Sequence, residues 1–303
     1  MRLYSFRAED GQVVTGVLDG DTVIIDEDWI DDLSSAALDD LEDYLAVQAR
    51  LAGSPSPLTG VTPAPAVPRP GKVICIGLNY RDHCDEQHIP YPERPMLFAK
   101  FPNSVIADGE PIVRPAGTRA LDFEVELGVV IGRRATRVAE SVAMGHVAGY
   151  VVVNDVTARD WQGSKPALAP GERGDGQWLR AKGSDTFLPI GPVFVSADEI
   201  PDPHALRLRS WRIPGSGPDA GTAIPMQDGS TSNMVFDIPA LIAFVSNSIT
   251  LDPGDIISTG TPAGVGVFRD PPVFLEPGDA ARCEIEGIGQ VENRVIDAAD
   301  VEP

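Results

Sequence analysis

The sequence predicts an α+β fold dominated by short strands. A small N-terminal α+β domain with a proline-rich connector spans residues 1–68, and a larger β-rich domain spans 69–303. Three observations carry that expectation. The run Asp122-Phe123-Glu124-Val125-Glu126-Leu127-Gly128-Val129-Val130-Ile131-Gly132 alternates acidic and apolar residues before turning apolar, the period-two signature of a strand. The run Tyr150-Val151-Val152-Val153-Asn154-Asp155 is β-branched and reads as a buried strand. Long helical periodicity is confined to 35–52 and 237–248, and prolines at 55, 57, 63, 65, 68 and 70 set the first of these apart from the larger domain.

In chain order, residues 2–26 read as short strands broken at Glu9-Asp10-Gly11 and Asp19-Gly20-Asp21. Leu38, Leu41, Leu45, Ala49 and Ala52 then recur at three and four, an amphipathic helix capped by Ser34 or Ser35 and ended by Gly53. Residues 54–70 form an extended connector. A buried strand comes next over 72–77, then a short helix, and 95–113 alternates strands and turns. A short helical piece near 138–144 precedes the strand that ends at Asp155, and one or two helical turns cover 156–162. Residues 163–177 are rich in Gly, Pro and charge, a long loop and a candidate lid. A strand is expected over 187–195 and a hairpin over 206–236. Asp237 caps a helix carrying Ile238, Leu241, Ile242 and Val245 at helical spacing. A strand over 255–258 runs into a glycine-rich loop at 259–266, and strands near 280–286 and 290–296 close the chain.

The chemistry is concentrated in the acidic strand. Residues two apart on a strand share a face, so Asp122, Glu124 and Glu126 are expected on one side, spaced roughly 6.6 Å apart. Strands disfavour Asp and Glu, so the pattern asks for a reason beyond a solvated face. With Asp155 at the tip of the next buried strand, Glu124 and Glu126 make an all-oxygen set, which suits Mg²⁺, Mn²⁺ or Ca²⁺ rather than Zn²⁺. His83 and Glu86 are three apart on the short helix, hence on one face, and a carboxylate beside an imidazole makes a general base. Arg159 and Gln162 lie one and two turns beyond Asp155 and face the same region. Lys182 stands out because the only other lysines are Lys72, Lys100 and Lys165. The loop at 260–266 is not a dinucleotide motif, and no Gly-x-Ser-x-Gly elbow exists. Its Gly260 and Thr261 still offer a backbone N–H and a hydroxyl to a carboxylate.

A net charge of −21 argues against nucleic acid and anionic membranes as partners. Three cysteines without metal spacing fit a reducing compartment, with Cys75 and Cys283 as core residues. With no signal-like apolar N-terminus, the expected location is cytoplasmic.

Taken together, five segments resemble the fumarylacetoacetate hydrolase (FAH) family over about residues 69–297. They are Gly77-Leu78-Asn79-Tyr80-Arg81-Asp82-His83, Asp122-Phe123-Glu124-Val125-Glu126, Asn154-Asp155-Val156-Thr157-Ala158-Arg159-Asp160, Lys182 with Asp185-Thr186-Phe187, and Thr259-Gly260-Thr261-Pro262-Ala263-Gly264-Val265. The resemblance implies a mixed-sheet roll as the catalytic domain, a homodimer, and Mg²⁺ or Mn²⁺ on Glu124, Glu126 and Asp155. It implies a catalytic His83–Glu86 pair, an active-site Lys182 at the attacked oxyanion, and substrate contacts from Arg159, Gln162, Thr261 and Gly260. The implied substrate is a small 2-oxo acid with a second carbonyl, an acylpyruvate, cleaved at a C–C bond by water. An isomerase acting by a 1,3-proton shift and an oxaloacetate-type decarboxylase use the same chemistry, and a non-catalytic scaffold is the remaining alternative. The presence of both His83 and Glu86 favours hydrolysis. Ser184, where the family often has an aromatic residue, and a long 163–177 loop bear on substrate choice.

Overall fold

The computed structural model describes residues 1–24 and 55–301, and the helix expected over 35–52 lies outside them. Among the described residues strands dominate, as expected, and helices are few and short. Among the described residues one sheet has eleven strands and a second has five. The central strands of the larger sheet are Val125–Ile131 and Val147–Asn154, antiparallel from Val125↔Asn154 through Gly128↔Val151. Both are buried on both faces, which is why they read as apolar runs rather than clean alternations. Tyr150 and Val152 join a core shared with Leu208, Cys283 and Val291 of the second sheet. Val151 and Val153 point the other way, onto Leu3, Ile190 and Phe194. The helix Ile238–Ser246 begins where expected, with the Asp237 side chain accepting from Ala240 N–H.

The N-terminal strands continue the large sheet. Arg2–Arg7 pairs antiparallel with Val193–Ser196, and Val13–Asp19 lies outside it. Within the connector, Pro55–Pro57 pairs with Thr22–Ile24 and Thr62–Pro63 pairs with Arg2–Arg7 as short strands, with a turn at 59–60 between them. Two strands differ from their sequence reading. The stretch 187–195 divides into Leu188–Pro189, parallel to Val105–Ile106, and Val193–Ser196. The acidic run also divides, into Leu121–Asp122 and Val125–Ile131. Side chains cause the second break. Glu124 N–H donates to Asn154 Oδ1 (3.2 Å) and Val125 N–H to Gln227 Oε1 (3.0 Å), so the ladder gives way and the backbone bends at Phe123–Glu124.

All three cysteines are free and buried. Among the described residues no helix is long and apolar enough to cross a membrane.

Candidate active site

The site forms where strand ends and short turns meet beneath the helix Arg81–Glu86. The strand Val73–Gly77 delivers the chain to Leu78, whose φ of 56° is rare for a side-chain-bearing residue. Asn79 holds this turn: its amide donates to Thr259 O (2.8 Å) and Phe236 O (3.1 Å), and its Oδ1 accepts from Phe236 N–H (2.9 Å). The helix then sets His83 Nδ1 2.6 Å from Glu86 Oε1. Glu86 is fixed in turn by Gly264 N–H on its Oε2 (2.9 Å). The expected pair is therefore in contact, and His83 lines the cavity with Glu86 behind it.

The cavity measures about 310 Å³. Glu124, Glu126 and Asp155 converge on it, each able to offer an oxygen within 4.8 Å of the others. Asp155 arrives at the tip of its strand, as its sequence position suggested. Glu124 receives Arg159 Nη2 (2.6 Å) and Lys182 Nζ (2.5 Å). Lys182 also donates to Asp155 Oδ2 (2.6 Å). Glu126 accepts from the Ser258 hydroxyl (2.6 Å) and Gly260 N–H (3.0 Å). Gly260 has φ of +93°, and a Cβ there would stand 2.9 Å from Ile76 O, so glycine is required for this approach.

The electrostatics separate the two glutamates. Burial pushes Glu124 up, but the charges of Arg159 and Lys182 outweigh it and hold its carboxyl below the usual range. Glu126 has no cation of its own, so burial, with Asp155 and Glu124 nearby, raises it to about 8. Burial depresses the Lys182 amine, yet Asp155 and Glu124 more than compensate and lift it to about 12.

Arg159 Nε donates to Asp122 (2.9 Å) and Nη1 to Gln162 Oε1 (3.2 Å), so Arg159 and Gln162 meet at the cavity wall. The Thr261 hydroxyl donates to Val125 O (2.9 Å) and accepts from Gln227 Nε2 (2.7 Å), which places Thr261 on the wall with its polar groups engaged. From the long loop, Gly163 and Ser164 reach the cavity.

Sequence reasoning missed Lys100. Its side chain is fully buried, and Nζ lies 2.7 Å from Asp155 Oδ1 while donating to the carbonyls of Val156 (2.9 Å), Lys182 (2.5 Å) and Phe187 (2.6 Å). Those three carbonyls take its three N–H groups, and Asp155 Oδ1 meets the ammonium as a buried ion pair. The available signal was the scarcity of lysine, applied to Lys182 but not to a lysine ending the apolar run Leu97-Phe98-Ala99. Burial pushes the Lys100 amine down, against the pull of Asp155. Replacing Lys100 with Met is expected to strand Asp155 and the three carbonyls and to destabilise the protein by about 3–5 kcal/mol, read from chemical denaturation in EDTA. Equal stability would remove this role.

Three carboxylates whose oxygens lie within 4.8 Å of one another, with no nitrogen or sulfur donor among them, fit a hard divalent cation. Residues 72–296 match the family described as Fumarylacetoacetate (FAA) hydrolase C-terminal. Over 240 residues the chain is 45% identical to the Homo sapiens protein named oxaloacetate tautomerase FAHD2A, mitochondrial, covering 79% of this chain and 71% of that one. A putative HpcE protein from Mycobacterium smegmatis superposes with a TM-score of 0.82 at 34% identity, covering 98% of this chain and 100% of that one. Maleylpyruvate hydrolase from Sphingobium sp. SYK-6, solved with manganese(II) and pyruvate, gives a TM-score of 0.74 at 29% identity over 98% and 99%.

Proposed function

The chain belongs to the fumarylacetoacetate hydrolase family, and we propose that it is a metal-dependent enzyme moving a proton on a small 2-oxo acid, as in keto–enol conversion of oxaloacetate. The observation that carries this reading is one cavity shared by a carboxylate-held imidazole and a triad of carboxylates suited to a divalent cation. Mg²⁺ or Mn²⁺ on Glu124, Glu126 and Asp155 would supply a Lewis acid that polarises the 2-oxo group. Glu86 Oε1 accepts a hydrogen bond from His83 Nδ1–H and so leaves the other ring nitrogen, with its lone pair, as the base. That nitrogen takes the proton from the carbon beside the 2-oxo group and delivers it to the 2-oxo oxygen to give the enol, and the same transfer in reverse gives the keto form. Gln162 and Arg159 orient the substrate carboxylate, and Leu78, Phe98 and Phe268 line the cavity with apolar surface that limits water.

Hydrolysis of an acylpyruvate, the outcome favoured by sequence, is the second reading, supported by the maleylpyruvate hydrolase superposition. It needs hydrogen-bond donors or a cation at a second, distal oxyanion. The 45% identity to an oxaloacetate tautomerase, against 29% to the maleylpyruvate hydrolase, makes the proton shift the better supported of the two. Decarboxylation of oxaloacetate is a third outcome on the same groups. A homodimer and a cytoplasmic location are part of the proposal, although the human relative carries a mitochondrial name.

The test follows enol oxaloacetate by its absorbance beside an acylpyruvate panel, with pyruvate release measured in both arms. Faster decay of the enol without pyruvate supports the tautomerase. Acylpyruvate cleavage alone replaces it with the hydrolase, and pyruvate from oxaloacetate alone replaces it with the decarboxylase.

A further inference from the structure

Asp122 stands in line with Glu124 and Glu126 on the alternating run, yet its carboxylate is saturated. Oδ1 accepts from the N–H groups of Phe123 (2.9 Å) and Gly266 (2.9 Å), and Oδ2 accepts from Arg159 Nε (2.9 Å) and Val267 N–H (3.0 Å). Four donors on a buried carboxylate occupy its acceptor capacity. Asp122 is accordingly absent from the group of carboxylates that face one another.

Its donors come from two sides of the cavity. Arg159 reaches from Asp122 to Glu124 and Gln162. Gly266 and Val267 open the short turn Gly266–Phe268, and Phe268 sets its ring edgewise to the His83 ring at 5.9 Å and 62°. The turn approaches as only glycine allows: a Cβ on Gly266 would stand 2.0 Å from Val273 O and 2.7 Å from Asp122 Oδ1. Two residues earlier, Gly264 N–H holds Glu86.

We propose that Asp122 is a positioning residue: it clamps the Gly266–Phe268 turn to Arg159 and thereby fixes the Phe268 ring against His83. The base and the arginine that braces Glu124 then keep one relative geometry. A carboxylate suits this task because charge-assisted bonds to Arg159 and to backbone N–H groups are stronger than neutral ones and resist bending.

The chain has four histidines, so the imidazole region of an NMR spectrum resolves His83 from His88, His146 and His204. In Asp122→Asn, the His83 ring signals are expected to move in the same sense as in Phe268→Leu, which deletes the ring, while the other three stay. Turnover is expected to fall about ten- to a hundredfold in kcat with a smaller change in KM, since a displaced base costs the chemical step. Should Asp122→Asn fail to fold, Val267→Pro deletes one donor, keeps the carboxylate and is expected to give the same shift. The activity arm rests on the proposed proton transfer and the spectroscopic arm does not. An inactive wild type with a shifted His83 signal in the variants therefore sinks the reaction and supports the clamp. A folded Asp122→Asn or Val267→Pro whose His83 signals coincide with wild type overturns it, as does a Phe268→Leu protein in which His83 does not move.

Discussion

Replacing Glu124 and Glu126 together with Gln is expected to abolish Mn²⁺ binding and to lower turnover of any 2-oxo acid by about a thousandfold or more, since a Lewis acid supplies several kcal/mol and each 1.4 kcal/mol is tenfold in rate. The isosteric amides keep volume but remove the charge a hard cation needs. They also remove one carboxylate charge from Arg159 and Lys182, two cations buried against Glu124 at 2.6 and 2.5 Å, leaving Asp122 and Asp155 as their remaining anionic partners. The double variant should therefore also melt earlier than wild type even in EDTA, because each buried cation loses one of its two anionic partners. Mn²⁺ affinity is read by electron paramagnetic resonance and stability by thermal denaturation. A double variant that holds Mn²⁺ as tightly as wild type would falsify the triad as the metal site.

His83→Ala tests the other half of the site. Loss of a general base costs about a hundred- to ten-thousandfold, so keto–enol conversion and any acylpyruvate hydrolysis are both expected to collapse. Mn²⁺ binding should be unchanged, because His83 meets Glu86 rather than the triad. Oxaloacetate decarboxylation needs an electron sink more than a base, so it should survive in part. Equal loss of all three activities, with metal still bound, would count against this division of labour.

Much of this site is legible in sequence because its determinants are local. Period-two alternation sets Glu124 and Glu126 together, the end of a β-branched run places Asp155, and a three-residue spacing joins His83 to Glu86. The less legible parts depend on convergence across the chain. Lys100 gathers carbonyls from Val156, Lys182 and Phe187, and a lysine at a strand end looks in sequence like one that reaches solvent. Asp122 looked like a third acid on the face of Glu124, but the break at Phe123–Glu124 turns it to Gly266 and Val267, donors 144 and 145 residues away. The break itself comes from Asn154 and Gln227 side chains replacing ladder bonds, which a periodicity cannot report. The N-terminal strands read correctly as strands. Their pairing with Val193–Ser196 is a long-range choice that no local pattern encodes.

The most direct test of metal-dependent proton transfer is stripping and reconstitution. The protein is treated with EDTA, freed of chelator, and titrated with Mn²⁺ while enol oxaloacetate decay and bound metal are followed together. Metal-dependent transfer predicts a nearly inactive stripped enzyme whose activity returns in proportion to occupancy of one site per chain. Full activity in the stripped protein, with no bound metal, would contradict it.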